Sequence, residues 1–143
     1  MRSLLDVNVL LALLDADHAF HQRAHAWWRR ERPAWASCPL TENGFIRVMV
    51  SVNYSQTRKF TVGELAAQFR SFAESTAHSF WPDAISLGDQ RHFCHAKILS
   101  SQQLTDVYLL GLAVENNGRL VTFDRHITLA CVVNAKPQNL LVL

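Results

Sequence analysis

No long hydrophobic run, no cysteine framework and no strong excess of one charge mark this sequence, and each absence removes a class of protein. The apolar run near the start, Val9 to Leu14, spans six residues between Asp6 and Asp15. Although Arg2 precedes it, the run is too short for the centre of a secretory signal or for a membrane span. Three cysteines, Cys38, Cys94 and Cys131, are an odd number at wide, irregular spacing. That is not the pattern of a small secreted disulfide scaffold, and a reducing, cytoplasmic compartment fits it better. The 14 basic and 12 acidic residues give a formal charge of +2, so an anionic partner is met by a local patch and not by the field of the whole chain. Internal repeats, linkers and low-complexity segments are absent as well.

What is present suits one globular domain over residues 1–143, since 49% hydrophobic content at this length can build a sizeable core. Strand and helix signals alternate. Ser3–Leu5 reads as a strand ending at Asp6, and Val9–Leu14 as a buried helix beyond Asn8. Phe20–Arg30 has a helical pattern broken by Pro33, and Ala34–Cys38 makes a second strand. Pro39 opens a helix with Phe45, Val48, Met49 and Val52 as its apolar members, which places Glu42 in the first turn. Thr61 and Glu64 have the spacing of a capping box. Phe80–Trp81 reads as a short strand, while the stretch from Leu87 to Ser101 has no clear pattern. Thr105 is placed to cap a helix that begins with Asp106 and stops at Asn116-Asn117-Gly118. Leu120–Thr122 then reads as a strand running into Phe123-Asp124, and Leu140–Leu143 as a last one.

This alternation predicts an α/β fold with an open, mostly parallel sheet. Ligands of such sheets lie beyond the carboxyl ends of the strands, where helix amino ends also gather. Asp6 and Asp124 each follow a strand, and Glu42 and Asp106 each sit in an opening helical turn, so all four can share one edge. Two carboxylates about 4 Å apart repel by roughly 4 kcal/mol at an effective dielectric near 20, and a bound cation removes that conflict. A set of Asp and Glu oxygens suits a hard ion such as Mg²⁺ or Mn²⁺. Bound there, the ion would activate water and neutralise charge at a phosphodiester. Each acid also has a local role open to it, at a strand end, a helix amino end or a turn.

The segments Leu4-Leu5-Asp6-Val7-Asn8-Val9-Leu10-Leu11, Leu40-Thr41-Glu42-Asn43-Gly44-Phe45-Ile46-Arg47-Val48, Leu104-Thr105-Asp106-Val107-Tyr108-Leu109-Leu110 and Leu120-Val121-Thr122-Phe123-Asp124-Arg125 resemble PIN domains, and within them the VapC toxin branch. The resemblance covers nearly the whole chain, with the blocks in the family's order. It implies a three-layer α/β/α sandwich and a Mg²⁺- or Mn²⁺-dependent endoribonuclease. It also implies a homodimer inhibited by a cognate VapB antitoxin whose tail occupies the active-site groove. Carried over by position, the metal-binding and catalytic acids are Asp6, Glu42, Asp106 and Asp124. Asn8 and Thr105 match polar positions expected to orient them.

Other residues invite attention. Arg47 and Arg125 can meet an RNA phosphate or an antitoxin carboxylate, against the plainer expectation of exposed ion pairs. His18, His21 and His25, and the group His92, Cys94 and His95, raise zinc, but neither offers a convincing set of four ligands. Trp27, Trp28 and Trp35 can stack on bases, though core or dimer packing is the more common use. Arg29, Arg30 and Arg32, with Arg58-Lys59, can guide an RNA backbone. Helical apolar surface near Leu10–Leu14 and Phe45–Val52 suggests a dimer contact. Among other classes, a receiver-type switch lacks its paired acids after the first strand. A haloacid-dehalogenase-like phosphatase lacks a second Asp where this chain has Asn8. A PIN-like module that binds RNA or protein without cutting is the remaining alternative.

Overall fold

A computed structural model describes residues 1–143. Five strands, β1 (Ser3–Leu5), β2 (Trp35–Ser37), β3 (His78–Phe80), β4 (Arg119–Thr122) and β5 (Leu140–Val142), form one sheet in the order β3-β2-β1-β4-β5. Every pairing is parallel, in agreement with the expected architecture. The helices are α1 (Val7–Leu14), α2 (His21–Glu31), α3 (Pro39–Val50), α4 (Val62–Glu74) and α5 (Leu104–Glu115).

Both faces of the sheet are covered, so its inner strands have no polar face. Leu4, Ala36 and Leu120 pack toward α5, Trp81 and Phe93, whereas Leu5, Trp35 and Val121 pack toward α1, α2 and α3. The two-residue alternation of a strand thus sends neighbouring apolar side chains into opposite layers. The chain winds from β1 to β2 and β3 on one side and returns to β4 and β5 on the other. That leaves a topological switch point between β1 and β4, where a ligand crevice is expected.

Local signals explain most boundaries. Thr61 and Glu64 close a reciprocal capping box at 3.2 and 2.8 Å, as their spacing predicts. Asn117 takes the left-handed conformation after α5, with φ 53°. Gly118 serves close approach instead: a Cβ there would stand 2.7 Å from the Arg2 carbonyl. Gly44 has a similar use, because a Cβ would meet a Val7 methyl at 2.5 Å. Its bare backbone lets α3 lie close against the start of α1, bringing the helix that carries Glu42 beside Asp6.

Two expectations need correction. Strand β3 begins at His78, two residues before the expected Phe80, because it pairs with β2 in the register Trp35–His78, and Trp81 lies just beyond it. Thr105 does not cap α5. A 3₁₀ turn at Ser101–Gln103 feeds directly into the helix at Leu104, and the capping is done one turn earlier. There Gln103 Oε1 accepts from the backbone of Leu99 and Ser100 at 2.9 and 3.2 Å. No helix is long and apolar enough to cross a membrane, and all three cysteines are unpaired.

Candidate metal centre

Asp6 is the N-cap of α1, the first residue beyond the central strand. Its Oδ1 accepts from the Val7 amide at 2.7 Å and its Oδ2 from the Thr122 hydroxyl at 2.8 Å. The residue is only 5% exposed. Burial raises its pKa, the charge of Asp124 adds to the effect, and the two hydrogen bonds oppose it. Thr122 ends β4 and serves two acids, since its Oγ1 also accepts from the Asp124 amide at 3.0 Å.

Asp124 is held in turn by His126, whose backbone amide donates to Oδ1 at 2.7 Å with its ring Nδ1 at 3.0 Å. Chiefly through that amide, the Asp124 carboxyl is kept below its ordinary value. Asp106, in the first turn of α5, moves the other way. Burial, then the charges of Asp6 and Asp124, push it up to about 6. Three aspartates from distant parts of the chain therefore act on one another at the β1–β4 switch point. A groove of about 370 Å³ opens there, lined by Asp106 and Asp124 together with Leu99, Gln103, His126 and Thr128.

Glu42 reaches this edge from β2's side, in the first turn of α3. Its Oε1 accepts from the buried Ser37 hydroxyl at 2.6 Å, and Ser37 also meets His78 Nε2 at 2.8 Å. Burial holds His78 below the usual imidazole range. No three His, Cys, Asp or Glu side chains stand close enough, as placed, to hold one ion together. Asp6 and Glu42 have turned oxygens toward protein donors. The donor set nevertheless fits a hard cation: it is all carboxylate, and the mutual repulsion raising Asp106 is what a positive ion would relieve.

The PIN domain profile matches residues 3–132 of the 143. This chain belongs to the PIN-domain family. Among its relatives, Ribonuclease VapC44 of Mycobacterium tuberculosis is 42% identical over the full length of both chains. Ribonuclease VapC39 of the same organism is 36% identical, covering 87% of this chain and 89% of the relative. Ribonuclease VapC29 is 34% identical over 87% and 86%.

In this PIN domain the remaining residues sort by position. Asn8 and Thr105 are exposed and hydrogen-bond none of the acids; Thr122, Ser37 and His126 do that work. Arg47 and Arg125 are exposed and without an ion pair. Arg29, Arg30 and Arg32 lie at the wrong end of the domain, because neighbouring Glu31 pairs with Arg119 at the amino end of β4. Arg58 is committed to Asp15 and Asp17, and Lys59 to the carbonyls of Val52 and Ser55. His21 and His25 hydrogen-bond the Ala12 and Leu13 carbonyls at the end of α1, so those rings complete a helix terminus. His95 is likewise bound to the Leu87 carbonyl. Trp27 and Trp35 are core residues, 2% and 0% exposed. Sequence reasoning missed Thr122, Ser37 and His126, although Thr122, the last residue of β4, stands only two positions before Asp124.

Proposed function

We propose that this PIN domain, spanning residues 1–143, is the toxin of a VapBC-type toxin–antitoxin pair, a divalent-metal-dependent endoribonuclease working in the cytoplasm. The observation that carries the reading is the meeting of Asp6, Asp106 and Asp124 at one sheet edge, with Glu42 arriving on α3, the helix that follows β2. Relatives that span the chain and carry the name ribonuclease VapC support it.

Mg²⁺ or Mn²⁺ is the ion proposed for this all-oxygen set. When bound, it supplies an activated water and neutralises charge on the scissile phosphate. The chain's own residues prepare the place. Thr122 fixes the Asp6 carboxylate, and the His126 amide keeps Asp124 ionised. Asp106, raised to about 6 by burial and by the charges of Asp6 and Asp124, would hold the cation as its ionised carboxylate. Asn8 and Thr105, exposed near the acids in sequence, are free to hydrogen-bond RNA. Arg47 and Arg125 offer cations to its phosphates or to the acidic side chains of a VapB-type antitoxin.

A homodimer is part of the proposal, through only part of the surface first expected. Leu10, Leu11 and Leu13 are at most 5% exposed within the single chain, and Phe45 and Met49 are also buried. What α3 and its following turn leave to solvent is Val48, Val50 and Val52, at 36, 38 and 73%. The test is direct: antitoxin-free protein incubated with RNA should release fragments in Mg²⁺ or Mn²⁺ and stop when EDTA is added. RNA bound but left whole in both ions would favour a non-cleaving module instead.

A further inference from the structure

Ser37 ends β2 with its hydroxyl fully buried, and that hydroxyl is engaged on both sides. It has one proton to give. A carboxylate that is to hold a cation is ionised and only accepts, so the proton lies toward Glu42 at 2.6 Å. The contact to His78 at 2.8 Å must then run the other way, with Nε2–H donating to Ser37 Oγ. That requirement sets the imidazole tautomer. The ring is itself pinned: it lies 4.4 Å from the Trp35 indole and makes an edge-on contact with Phe69 at 6.0 Å. Behind it, the Arg2 guanidinium donates to the carbonyls of Trp35 and Ala77 at 3.0 and 2.9 Å, tying β3 to β2.

Glu42 alone would be a loose ligand. A glutamate on the first turn of a helix has several freely rotating bonds, and ordering them costs entropy. The chain from His78 through Ser37 ties Oε1 to two neighbouring strands, β2 and β3, and leaves Oε2 without a protein partner. We propose that His78 and Ser37 form a hydrogen-bond relay that holds Glu42 with Oε2 presented to the divalent cation, making His78 a positioning residue of the metal centre. The inference rests on Glu42 being a ligand. Partners of this kind behind a metal ligand commonly change affinity by about 10- to 100-fold when lost.

Mn²⁺ titration followed by the electron paramagnetic resonance of the free ion measures this without any turnover. Ser37→Ala should weaken Mn²⁺ binding by about 10-fold or more. His78→Phe, which keeps a ring between Trp35 and Phe69 but has no donor, should weaken it similarly. His78→Gln, whose amide places an N–H near the position of Nε2, should recover most of the affinity, a rescue that a purely structural role would not produce. If Glu42→Gln weakens Mn²⁺ while Ser37→Ala and His78→Phe bind as wild type, the relay is wrong and the metal centre stands. If Glu42→Gln also binds as wild type, Glu42 is no ligand and the relay falls with it. In the unaltered protein, ¹⁵N resonances of His78 should report the Nε2–H tautomer, and the opposite tautomer would overturn the relay regardless of how the variants fold.

Discussion

The Thr122 hydroxyl donates to Asp6 Oδ2 at 2.8 Å, joining residues 116 apart in sequence across the one place where the sheet reverses its winding. This bond makes the site a product of the fold, because it exists only when β4 lies beside β1 in the observed register. Thr122→Val keeps the shape of the side chain and removes the hydroxyl. It should cost about 1–3 kcal/mol of stability by leaving a buried carboxylate oxygen without its partner, and RNA cleavage should fall with it. Thr122→Ser should restore both. Urea unfolding and a cleavage assay on the two variants check this, and equal behaviour of Val and Ser would show that the hydroxyl is idle.

Asp106 pays for function in stability. Its carboxyl titrates near 3.8 in an ordinary setting and at about 6 here, so in metal-free protein the folded state holds that proton more tightly than the unfolded chain. The contribution is therefore present below pH 4 and is lost as pH rises through about 6. In EDTA at pH 8, Asp106→Asn should be more stable than wild type by about 1–2 kcal/mol, with the difference gone at pH 4. Mg²⁺ should stabilise wild type and leave the variant unmoved. Thermal unfolding at the two pH values, with and without the ion, supplies all four comparisons.

Asp15 behaves with the opposite sign. It ends α1 with its side chain only 2% exposed, and accepts two bonds from Arg58 at 2.9 and 3.2 Å and one from the Tyr54 hydroxyl. Burial alone would raise its pKa, but these donors outweigh burial and bring it from 3.8 to about 2. The stability so gained is complete above the unfolded value and disappears as pH falls from about 5 to about 2. Asp15→Asn should lose about 2 kcal/mol at pH 7 and little at pH 2. Because Tyr54 and Arg58 belong to the segment between α3 and α4, hydrogen exchange there should quicken in the variant. Unchanged exchange would mean that the segment is held by other contacts.

The fold was legible where local chemistry repeats along the chain. Asp6 and Asp124 could be placed because each follows a short apolar strand, and Glu42 because Pro39 marks a helix start three residues before it. Thr105 was misplaced because a 3₁₀ turn lengthens α5 at its front, and the residues that cap that turn, Ser100 and Gln103, carry no apolar pattern. The basic group Arg29, Arg30 and Arg32 suggests a guide for an RNA backbone, whereas α2 ends beside the amino end of β4, where Glu31 pairs with Arg119, away from the acids. Ser37 and His78 stand 41 residues apart. Their contact depends on which strands are neighbours, and no periodicity in one sequence reveals that.

A crystal soaked in Mn²⁺ and measured at the manganese absorption edge tests the central claim most directly. The account predicts an anomalous peak bounded by Asp6, Glu42, Asp106 and Asp124, lost when Asp106 is replaced by Asn. A peak elsewhere, or one that survives that replacement at full height, would contradict it.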